Sequence, residues 1–81
     1  MKLVVKLFAL AKELYGDDKI AVELPPGATV GDLRVCLSAA IPALSPLIAG
    51  MLIAVNSEYA LDRSPLAVGD EVACIPPVSG G

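Results

Sequence analysis

"PPGATVGDLRVCLSAAIP", residues 25–42, is the stretch on which the fold turns. Thr29 suits an N-cap, because its hydroxyl accepts a hydrogen bond from one of the free N–H groups that open a helix. Asp32, three residues on, completes a short form of the capping box and complements the positive end of the helix dipole. Val30, Leu33, Leu37 and Ile41 then fall at i, i+3, i+7 and i+11, a single apolar stripe that needs a sheet to lie on. Pro42 has no N–H to continue the ladder and ends the helix.

Strands are expected on both sides of this helix. Upstream, Lys2 to Phe8 alternates with Leu3, Val5 and Leu7 on one face; Ala9 to Leu14 reads as a short helix stopped by Gly16. "GDDK" is a turn, after which Ile20, Val22 and Leu24 alternate with Ala21 and Glu23 as a second strand, antiparallel to the first. Downstream, an irregular "ALSPLIAG" leads to a third strand in "MLIAVN", and "NSEYAL" is a turn with a short edge strand. "LAVGDEVACI" places a Gly-Asp turn before a last strand from about Glu71 to Ile75. The order predicts an α+β fold, a mixed sheet packed on one main helix. That is the ubiquitin-like β-grasp pattern, and a pattern alone assigns no activity.

Composition narrows the function. Eighty-one residues make one domain, and 56% of them are apolar although only three are aromatic (Phe8, Tyr15 and Tyr59). The core is therefore aliphatic, and so small a body cannot bury all its apolar side chains, which predicts an exposed apolar patch and a protein partner. A net charge of −3 with six Lys plus Arg argues against nucleic acid. No stretch approaches the length of a membrane span, and the interrupted apolar run after Lys2 is short for a signal peptide, so a cytoplasmic location is expected. Histidine is absent. A self-contained enzyme is disfavoured on that ground, and no metal site is expected. Cys36 and Cys74 lie in no C-x-x-C pattern and read as reduced, buried small hydrophobes.

The sequence closes on "IPPVSGG", residues 75–81. Pro76 and Pro77 give no N–H to a ladder, so they stop the last strand and hold the chain extended as a strut. A domain of residues 1–75 thus carries a tail of residues 76–81. At roughly 3.3 Å per residue that tail reaches up to about 20 Å, enough to enter a pocket on another protein. Gly80 and Gly81 have no Cβ and pass through a slot too narrow for a side chain. The group delivered is a carboxylate, which becomes reactive once ATP converts it to an acyl-adenylate. Ser79 as a nucleophile is the competing reading, but no histidine is available to activate it.

"KLFALAKELYG" (6–16), "AVN" (54–56) and above all "LAVGDEVACIPPVSGG" (66–81) are the residues on which the chain resembles the molybdopterin synthase small subunits, a family of ubiquitin-like sulfur carriers. Cys74 and Ile75 stand where relatives often place an aromatic residue. The resemblance covers essentially the whole chain and implies three partners: a ubiquitin-activating-type adenylyltransferase that uses ATP, a sulfur donor protein acting through a persulfide, and the synthase large subunit, typically in a heterotetramer. No cofactor is bound by the carrier itself. It further implies that Gly81 becomes a thiocarboxylate and gives sulfur to cyclic pyranopterin monophosphate, with Gly80 letting it pass. Pro76, Pro77, Val78 and Ser79 are expected to be read by the partners, and Phe8 and Ile75 are candidates for an apolar docking patch, with core burial the alternative for Phe8. Asp17, Asp18, Asp70 and Glu71 read as solvated turn residues or as contacts to a basic rim. A sulfur carrier for thiazole or cysteine synthesis, a ubiquitin-like modifier, and a binding module with an inert terminus are the other readings.

Overall fold

In the computed structural model, which describes residues 1–77, the first strand β1 (Lys2–Leu7) and the second, β2 (Lys19–Glu23), form an antiparallel pair with Lys2 opposite Glu23 and Lys6 opposite Lys19. Strict alternation is the cause: Leu3, Val5 and Leu7 point to the core while Lys2, Val4 and Lys6 face out. The connection carries helix α1 (Ala9–Tyr15), one residue longer than expected. Gly16 ends it with φ 90°, a left-handed conformation that suits glycine, and its N–H donates to Lys12 O at 2.8 Å.

Helix α2 (Val30–Ala40) starts where the sequence predicts. Both halves of the capping box are formed: the Asp32 N–H donates to Thr29 Oγ1 at 3.3 Å, and the Thr29 N–H donates to Asp32 Oδ2 at 2.9 Å. Val30, Leu33 and Leu37 are fully buried, and Ile41 is the C-cap. The irregular segment contains two short 3₁₀ turns, Pro42–Leu44 and Ile48–Gly50, which bury Leu44 and Ile48 under the helix end.

β3 (Leu52–Val55) and β4 (Glu58–Tyr59) form a hairpin closed by Asn56 and Ser57, both at positive φ (51° and 70°). Two such residues match the right-handed twist of the strands they join. β5 (Val72–Ile75) then inserts between β1 and β3, parallel to the former and antiparallel to the latter, so the sheet order is β2-β1-β5-β3-β4. The last strand of the described residues is thus the central one, and the first lies directly beside it. This is the β-grasp: a five-stranded mixed sheet with α2 across one face and an aliphatic core between them.

Arg34, on α2, is the charged residue most enclosed by the fold. Its Nε donates to Asp62 Oδ1 at 2.7 Å, and one terminal nitrogen donates to Ile48 O (2.6 Å) and Met51 O (2.7 Å). One guanidinium therefore ties α2 to the second 3₁₀ turn and to the loop before β5.

Candidate functional site

The described part of the tail begins where β5 stops. Ile75 is the last residue in the ladder, opposite Leu52, and Pro76 and Pro77 follow outside any strand. Ile75 and Pro76 are half-buried and Pro77 is exposed. Val78, Ser79, Gly80 and Gly81 lie outside the described residues, so the expectations placed on them stay expectations.

Register across the sheet explains the surface from which the tail leaves. Lys19, Lys6, Ala73, Ala54 and Tyr59 are successive Cα partners on β2, β1, β5, β3 and β4, a single row on the face away from α2. Two alanines at the middle of that row leave a shallow trough of about 290 Å³, walled by Phe8, Tyr59, Ile75 and Lys6. Among the described residues no helix covers this face. Phe8 is 46% exposed and Tyr59 71% exposed, so Phe8 is not a core residue, and its part in docking stays an expectation. Ile75 forms part of the same wall.

On the other side of the tail root lies a second apolar groove of about 350 Å³, lined by Leu10, Leu47, Met51, Pro76 and Pro77 among others. The tail therefore starts from a ridge between two apolar hollows. Sequence reasoning named Phe8, Ile75 and the prolines but missed Tyr59, Leu10 and Leu47. Alanines alternating with large residues in "LIAV" and "VACI" were the available signal for the trough floor.

The loop that feeds β5 into the sheet is fixed by side chains. Ala67 and Asp70 close a turn in which Gly69 takes φ 89°. Asp70 Oδ2 accepts from Ala67 N at 2.7 Å and its Oδ1 accepts from Asn56 Nδ2 at 2.9 Å. Asn56 Oδ1 in turn accepts from Glu71 N at 2.9 Å. Asp17, Asp18 and Glu71 are exposed as expected, whereas Asp70 is half-buried and is a clamp rather than a free turn residue.

These bonds hold the Asp70 carboxyl below the usual carboxylate range, the Ala67 N–H contributing most and Asn56 next. A depressed value means that the stabilisation is present above the unfolded value of about 3.9 and is lost as pH falls through the lower folded one. Asp70→Asn, which keeps only one acceptor oxygen, is expected to lower Tm at pH 7. Thermal melts at pH 7 and pH 2 check this, since the gap to the wild type should close in acid; an equal gap at both would contradict it.

Both cysteines are free thiols. Cys74 is buried, with Sγ 3.5 Å from Met51 Sδ, and burial pushes its pKa up against a smaller opposing effect of Arg34. A protonated, enclosed thiol is a poor nucleophile despite its place two residues before Pro76. Cys36 corrects an expectation: it is only partly buried, packing against the core from the outer edge of α2. Among the described residues no group of three or more His, Cys, Asp or Glu is placed to hold a metal ion, and no helix is long and apolar enough to cross a membrane.

A mixed five-stranded sheet gripping one helix, open on its other face and ending in a Pro-Pro strut, defines the ubiquitin-like β-grasp class. Within that class the chain belongs to the ThiS family, whose model matches residues 5–81. It is 41% identical over 83 residues to the molybdopterin synthase sulfur carrier subunit of Chlamydomonas reinhardtii, with all of both chains covered. It is 38% identical over 84 residues to small archaeal modifier protein 1 of Haloferax volcanii, covering 94% of this chain and 97% of that one. A crystal structure of SAMP1 from Haloferax volcanii superposes with a TM-score of 0.87 at 36% identity over 100% of both chains.

Proposed function

We propose that this chain is the sulfur carrier subunit of a molybdopterin synthase, working in the cytoplasm. The observation that carries the reading is the tail root: a Pro-Pro stop at the end of a central strand, on a ridge beside an uncovered apolar trough, in a chain 41% identical throughout its length to a protein of that name. The open face is what a partner grips, and the tail is what it admits.

In this reading an adenylyltransferase of the ubiquitin-activating type binds the trough. A Gly81 carboxylate oxygen attacks the α-phosphorus of ATP, and pyrophosphate leaves. A persulfide on the sulfur donor protein displaces AMP at the acyl carbon, and a second thiol cleaves the S–S bond, leaving a thiocarboxylate on Gly81. The carrier then docks on the synthase large subunit, where sulfur passes to cyclic pyranopterin monophosphate to build the dithiolene. Two sulfurs are needed per pterin, so the carrier must leave and be recharged. Trough residues Phe8 and Ile75 supply apolar contact, Pro76 and Pro77 set the direction of exit, and Val78 and Ser79 are read along the slot. The carrier binds no cofactor; ATP is used by the partner.

The likeness to small archaeal modifier protein 1 favours a second reading in which Gly81 forms isopeptide bonds to lysines. Intact mass and terminal-peptide sequencing of the protein from its own host decide between them. One oxygen replaced by sulfur at Gly81 supports the carrier. High-mass conjugates that vanish on deletion of Gly81, with an unmodified carboxylate on the free protein, would replace it with the modifier.

A further inference from the structure

Three of the four lysines, in a chain of net charge −3, line one groove. The groove has a volume of about 510 Å³ and lies beside the trough, sharing Lys6 and Phe8 with it; Lys12 of α1 and Lys19 of β2 complete its basic rim. Lys6 and Lys19 are direct cross-strand partners, an arrangement in which like charges destabilise a sheet. Asp17 lies close enough to Lys19 to interact with it, and Asp18 shares the rim, so two acids face three lysines. The two ion pairs among the described residues are Arg34 with Asp62 and the terminal ammonium with Glu23, and neither uses a lysine. Asp18 is the one acid on the rim, and the neighbouring Asp17 carboxylate is turned to the Asp18 N–H at 2.6 Å.

A repulsive pair reinforced by a third ammonium, on the one part of an acidic body where bases collect, is a local conflict that folding does not require. It is relieved when an anion arrives. We infer that this groove is a docking site for a carboxylate-bearing segment of the protein that takes hold of the tail, an inference that rests on the carrier reading above. Continuity with the trough makes the two surfaces one footprint: Phe8 stands between them, with apolar contact on its β5 side and ionic contact on its α1 side. The division of labour follows from the physics. Exposed charges contribute little to the bound state once screened, but they steer encounter and exclude partners that present like charge. The groove therefore sets how fast, and with whom, the carrier docks, while the trough holds it.

The test is the triple variant Lys6→Gln, Lys12→Gln, Lys19→Gln of the full chain, with its association kinetics measured against the recombinant adenylyltransferase and synthase large subunit of the same organism. Removing the Lys6–Lys19 repulsion should leave Tm equal or higher, which shows that any loss is not unfolding. With at least one partner the association rate should fall about tenfold or more at low salt. The dissociation rate should change little, and the deficit should disappear at high salt, where the Debye length is only about 3 Å. Unchanged association with both partners, when the wild type binds normally, overturns the inference and leaves the carrier reading intact. A wild type that binds neither partner overturns both. Perturbation of the groove amides by millimolar inorganic phosphate, with normal partner binding by the triple variant, would overturn it in favour of a small-anion site.

Discussion

A chain extended by one residue beyond Gly81 is expected to bind the synthase large subunit with unchanged affinity and to transfer essentially no sulfur. In the proposed reading docking belongs to the trough and its rim, around Phe8, Tyr59 and Ile75, which the extension does not touch. Chemistry belongs to one terminal carbon. An added residue moves the reacting group by about 3.3 Å, and misplacement of even about 1 Å can cost a hundredfold in rate. Single-turnover sulfur transfer, beside a binding isotherm, checks both halves. Gly80→Val should fail similarly because a branched side chain blocks the slot. Full turnover by the extended chain would remove Gly81 from the mechanism.

Arg34→Ala is expected to cost about 2 to 4 kcal/mol, because it strands two part-buried backbone carbonyls that the guanidinium now satisfies, while the exposed Asp62 carboxylate returns to water. A domain of 81 residues has a total stability of only about 4 to 12 kcal/mol, so the loss is a large share of the whole. In a melt it should appear as a drop of roughly 10 to 25 °C. Arg34→Lys should recover only part, since one ammonium cannot reproduce the fork that reaches Asp62 on one side and two carbonyls on the other. A change under about 0.5 kcal/mol, the usual range for surface substitutions, would show that these bonds are replaced by water at no cost.

Most of the architecture was legible because local signals agreed with one another. Thr29 and Asp32 marked the helix start, Pro42 its end, and the alternations at 3–7 and 20–24 fixed which face of each strand is buried. Arg34 was not legible. On a helix between Leu33 and Val35 an arginine looks like any solvated residue, and its acceptors, Ile48 O and Met51 O, are backbone atoms that leave no mark in composition. The clamp made by Asn56 and Asp70 was hidden for a related reason: the two residues are far apart in sequence, and each alone is an ordinary turn residue. "AVN" and "LAVGDEVACI" attracted notice separately, and only the sheet register brings them together. The lysine groove escaped notice because an overall charge says nothing of where the minority sign collects. The reading of Gly80 and Gly81 rests on chemistry alone, on the lack of a side chain and on a terminal carboxylate, and they lie outside the described residues.

The placing of the first and last strands side by side at the centre of the sheet bears on how the protein is made. While the ribosome is still delivering residues 60–75, β1 has β2 on one edge and nothing on the other, and the sheet stays in two halves. A pairing between chain segments so distant is slow to form and cannot begin before β5 is synthesised. The trough floor needs Ala73 from β5, so the surface proposed for docking comes into being only with the strand that leads into the tail. A nascent or prematurely terminated chain thus presents neither grip nor cargo. If the proposed docking holds, a partner that reads this surface is at the same time reading that translation has run through the last strand.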